Sequence, residues 1–62
     1  MSSFRRDKER AIRELRRAQD ELEEAIDFIR RNRFERAENE IAGALFFLGR
    51  AIRRINRAER RD

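Results

Sequence analysis

A seven-residue repeat runs through both halves of this chain. Leu15, Leu22 and Ile29 recur at one position of it, called a, as do Phe34, Ile41, Leu48 and Ile55 in the second half. Position d holds Ala11, Ala18 and Ala25, then Ala37, Ala44, Ala51 and Ala58. Among regular structures it is the α-helix that brings residues three, four and seven apart onto one face, so the fold class is all-α. The repeat is interrupted at Arg31-Asn32-Arg33. Asparagine tolerates the left-handed conformation that ends a helix, which makes Asn32 the expected stop. The chain reads as one domain over 1–62: a first helix over about 3–31 that Ser2 or Ser3 can cap, a turn at about 32–33, and a second helix over about 34–60.

Folded back on itself, such a chain forms an antiparallel hairpin in which facing residue numbers sum to 66. Leu15 then faces Ala51, Ala18 faces Leu48, Leu22 faces Ala44, Ala25 faces Ile41, Ile29 faces Ala37, and Ala11 faces Ile55. Each layer sets one large residue against one small one, which predicts an intra-hairpin core of these residues and Phe34. On the g side of the seam Glu14 comes near Arg54.

The apolar pattern is wider than this seam. Position e adds Ile12, Gln19 and Ile26 in the first helix and Leu45 and Ile52 in the second. A hairpin cannot bury a face this broad by itself, which predicts a second copy as partner: a homodimeric four-helix bundle or a larger helical oligomer. Phe46 and Phe47 fall at f and g, outside the a/d/e face, and Gly43 and Gly49 lie mid-helix at a cost of up to about 1 kcal/mol each. Close approach by another helix would account for them, so Phe28, Gly43, Phe46 and Phe47 join the expected oligomer interface.

Size and composition point the same way. At 62 residues a single core rarely supplies more than about 3–5 kcal/mol without a staple or partner. There is no Cys and no His, hence no disulfide, no thiolate site and none of the usual nucleophile–base pairs. No catalytic residue, cofactor, metal or small-molecule substrate is expected. Acid pairs such as Glu21/Glu24 and Glu35/Glu38 read as solvated faces, since di-iron bundles need a Glu-x-x-His element. The longest apolar run, residues 41–49, is far short of the roughly 20 residues that span a bilayer. No apolar stretch follows Met1, so no secretory signal is expected and a cytoplasmic location is the default.

Charge is segregated. Residues 1–19 carry seven basic and three acidic side chains, and residues 50–62 carry six and two, so the open end of the hairpin is +8. Residues 20–49 carry four basic and eight acidic side chains, so the turn end is −4. This asymmetry suits antiparallel packing of two hairpins, basic end beside acidic end. Alternatively Arg50, Arg53, Arg54, Arg57, Arg60 and Arg61, with Arg5, Arg6, Arg10, Arg13 and Arg17, form a footprint for RNA or DNA phosphates. No aromatic residue interleaves this cluster in the sequence.

Around the turn, Phe28, Asn32, Phe34, Ala37, Ile41, Ala44 and Leu45 resemble the aromatic, small and apolar positions of a single tetratricopeptide hairpin. Glu21 and Glu24 stand where that motif has Trp and Leu, and the helices are about twice as long. In size and in its layering of alanine with large residues, the whole chain resembles the Rop family of plasmid regulators. That resemblance implies a dimeric four-helix bundle and a paired-RNA partner. The regular heptads, with no Pro, Cys, His, Trp or Tyr, also suit a designed sequence, against which the Phe46-Phe47 pair and the mid-helix glycines speak. The function expected is a non-catalytic, self-associating structural or interaction module, with nucleic acid binding at the Arg-rich end as the alternative.

Overall fold

The computed structural model describes residues 2–60. Two helices, α1 (Ser2–Arg30) and α2 (Phe34–Arg60), pack side by side as a hairpin. α1 starts at Ser2, so Ser2 and Ser3 both lie within its first turn instead of preceding it as a cap.

The turn forms because Asn32 takes a left-handed conformation, φ 62°. Two hydrogen bonds then close the end of α1: the Arg33 N–H donates to the Phe28 carbonyl at 2.8 Å, and the Asn32 N–H to the Ile29 carbonyl at 3.0 Å. This pair satisfies carbonyls that the helix leaves without partners. The Arg33 carbonyl in turn accepts from the Ala37 N–H at 3.1 Å, which makes Arg33 the cap of α2. One chain reversal of three residues therefore ends one helix and starts the next.

The core is the alanine column. Ala11, Ala18, Ala25, Ala37, Ala44, Ala51 and Ala58 are all buried, and Ala18, Ala44 and Ala51 are only 1% exposed. The hairpin measures 47 × 13 × 10 Å between its Cα atoms. A width of 13 Å with a Cα radius of about 2.3 Å leaves about 8 Å between the axes, the close limit for packed helices.

The large a-position residues do not complete this core. Leu15, Leu22, Ile29, Phe34, Ile41 and Ile55 remain exposed, Leu15 and Ile41 by 39% and the others by more, and Leu48 is half-buried. The expectation that each would fill space against a facing alanine is corrected to that extent. With alanine on both helices at d, the backbones meet along d itself. Position a lies 60° further round each helix, on the rim of the seam.

Because the seam tolerates only a methyl group, Ala44→Leu is expected to lower unfolding stability by about 1–3 kcal/mol through overpacking. Asn39→Ala, at an exposed site, should change it by less than about 0.5 kcal/mol. Urea unfolding followed by circular dichroism distinguishes the two.

Candidate functional site

The seam divides the hairpin surface into two unlike faces. Positions a and e of both helices lie on one side of it and positions g and c on the other, because antiparallel helices joined at d place the same heptad positions on the same side.

The g/c face is polar and internally engaged. Asp7, Glu14 and Glu21 follow the heptad at g; Asp7 is 4% exposed, Glu14 is buried, and Glu21 is half-buried. Glu14 is met from α2 by Arg50, whose Nε donates to Oε2 at 2.9 Å, and by Arg54, whose Nε lies 3.5 Å from Oε1. Asp7 Oδ1 lies 3.7 Å from the Arg57 guanidinium. These pairs sum to 64 or 68, bracketing the expected pairing of 66, and Ala11 and Ile55, which sum to 66, line one shallow hollow at the open end. Of the buried acids, the Glu14–Arg54 approach was legible in the sequence. Burial of Asp7 and Glu14 was not, and its signal is the column 7, 14, 21 repeating in step with the alanines.

The a/e face is apolar and uncovered in the single chain. Among the described residues eleven large hydrophobics are exposed, and ten of them sit at a or e. Ile12, Ile26, Leu45 and Ile52, expected at the oligomer interface, lie here, with Leu45 63% exposed and Gln19 exposed among them.

The other residues expected at an oligomer interface, Phe28, Gly43, Phe46 and Phe47, lie off this face. Phe28 and Phe47 are half-buried at g, where Arg36 covers the first ring at 5.9 Å and Arg17 the second at 4.8 Å. Phe46, 59% exposed at f, lies edge-on to Phe47 with centroids 5.4 Å apart and has the Arg50 guanidinium 5.5 Å from its ring centre. Gly43 faces its own α1: a Cβ there would sit 2.9 Å from the Glu21 carboxylate oxygens. Its small size therefore admits a side chain of the same hairpin, and no approach by another helix is needed to account for it. Gly49 has open space around it.

At the open end, Arg10, Arg13, Arg50 and Arg54 border one hollow with Glu14. A neighbouring hollow of about 170 Å³ is lined by Phe46, Arg50, Arg53, Arg54 and Arg57. All five residues belong to α2, where the helical spacing 46, 50, 53, 54, 57 sets the Phe46 ring beside the arginines. Arg60 is exposed beyond these hollows, and Arg61 lies outside the described residues.

The acidic end holds Glu21, Glu24 and Glu40. Partial burial, a hydrogen bond with Glu24 and the negative charges of Glu24 and Glu21 all push the Glu40 carboxyl above its ordinary value of 4.5. Among the described residues no group of three or more acidic side chains is arranged to hold a metal ion. No described helix is long and apolar enough to cross a membrane. Compared with known protein families, curated proteins and solved structures, the chain matches none.

The raised Glu40 value has a definite sign. The folded chain holds this proton more tightly than the unfolded chain, so the group favours folding below its unfolded value and loses that contribution as pH rises through the folded one. Glu40→Gln is therefore expected to raise Tm at pH 7 and leave it unchanged at pH 3, where the carboxyl is protonated in both states. Thermal melts of the two proteins across this range give the comparison.

Proposed function

We propose that this chain is a self-associating helical hairpin, a structural or interaction module without catalytic activity, whose a/e face packs against the same face of another copy to complete a four-helix bundle. The observation that carries this reading is the concentration of exposed large hydrophobics on one side of the alanine seam. Soluble monomers seldom expose a contiguous apolar face this large. The likeness to the Rop family is one of architecture, a hairpin that dimerises through its apolar face, and it brings no residue-level motif with it.

Leu45→Glu and Ile52→Glu, in the middle of the face, are expected to convert the protein to a monomer at about 10 µM, since each places a charge in a dry contact. Phe46→Glu, on the outer edge of α2, should leave the assembly intact. Light scattering on size-separated protein reads all three. A wild-type monomer of ordinary stability at that concentration overturns the reading.

A second reading has its own supporting observation: arginines of both helices border one hollow at the open end, and in the neighbouring hollow Phe46 lies with Arg50, Arg53, Arg54 and Arg57 of its own helix. In it, nucleic acid phosphates lie along Arg10, Arg13 and Arg53, with a base against the Phe46 ring. Arg50, Arg54 and Arg57 are already engaged by Glu14 and Asp7. The informative variant is therefore Arg10→Gln/Arg13→Gln/Arg53→Gln, expected to reduce binding of a mixed RNA pool at least tenfold, with wild-type binding falling steeply in salt. Binding unchanged by the triple variant or by salt removes this reading.

A further inference from the structure

We infer that the two copies pair with their turns at opposite ends, so that Gln19 and Gly49 each meet their own counterparts on a single two-fold axis. This rests on the proposed pairing through the a/e face and adds its geometry. Two closed face-to-face arrangements exist. With the turns together, α1 lies on the partner's α2; with the turns apart, α1 lies antiparallel on the partner's α1, and α2 on its α2.

The first arrangement fits badly. It extends the hairpin's own pairing across the interface, which sets Gln19 against the partner's Leu45 and Ile26 against the partner's Glu38. It also superimposes two +8 ends and two −4 ends, a like-charge apposition.

The second fits at each level of α1. Ile12 meets the partner's Ile26, Leu15 the partner's Leu22, and Gln19 the partner's Gln19, whose amide can both donate to and accept from its twin. Along the outer flank, position b reads Glu9, Arg16, Glu23, Arg30. In this register Arg16 meets the partner's Glu23 and Glu9 meets the partner's Arg30. Among the described residues none of Glu9, Arg16 and Glu23 has an ion pair within its own chain.

The same axis serves α2. Leu45 meets the partner's Ile52, and Leu48 meets its twin. Gly49, on the flank, comes opposite the partner's Gly49, where its missing side chain lets the helices close. Gln19 and Leu48 stand at the same height in the hairpin to within one residue, as a single axis perpendicular to the helices requires. The basic end of each copy then lies beside the acidic turn end of the other. The unfavourable appositions, Glu38 with the partner's Glu59 and Arg5 with the partner's Arg33, fall at the exposed ends of the interface.

The test uses the full chain, which has no cysteine of its own. Gly49→Cys adds a side chain where nothing stands in its way, and mild oxidation is expected to convert most of the protein to a covalent dimer. With turns together, Gly49 would face the partner's Arg16 and this cross-link would not form. Independently, Glu23→Arg and Arg16→Glu should each weaken dimerisation about tenfold, and the double variant should recover it, because only the turns-apart arrangement sets these two residues against each other. A dimer by light scattering that neither cross-links nor shows this rescue overturns the orientation and leaves self-association standing. A monomeric wild type overturns both.

Discussion

Close contact between the two helices along the alanine column is the constraint from which the other features follow. A methyl group at each d position from Ala11 onward lets the axes approach to about 8 Å. At that distance no larger side chain fits between them. Residues on either side of d are pushed to the two rims of the seam, where burial is partial on the apolar side and nearly complete for Asp7 and Glu14 on the polar side. A hairpin sealed by larger residues would have kept its leucines and isoleucines for itself. This one presents them outward.

The polar rim specifies the register more than it stabilises the fold. Carboxylates as buried as Asp7 and Glu14 lose most of their hydration, and the attraction of Arg57, Arg50 and Arg54 largely offsets that loss without much surplus. A slide of one heptad that brought Glu14 beside Gly43 and Phe47 would leave its buried carboxylate without an arginine, which is more costly. Arg17, Arg36 and Arg50 use the same geometry to lie over Phe47, Phe28 and Phe46, and an arginine over a ring contributes about 0.5–1 kcal/mol at an exposed site. The abundance of arginine thus has a structural use on the g/c face, quite apart from any partner that its charge attracts.

Repeat and turn chemistry in the sequence determined much of the architecture: two helices, their limits to within a residue or so, and the stop at Asn32. These are local properties, because heptad spacing and the left-handed tolerance of asparagine act within a few residues of the chain. Which residues flank the seam on each side was decided by the tertiary structure. The rotation of each helix about its own axis depends on how near the other helix comes. That rotation turned Leu15, Leu22 and Ile41 from core residues into rim residues. It also set Phe28, Gly43 and Phe47 on the polar face of the hairpin, where Arg36, Glu21 and Arg17 meet them from the other helix.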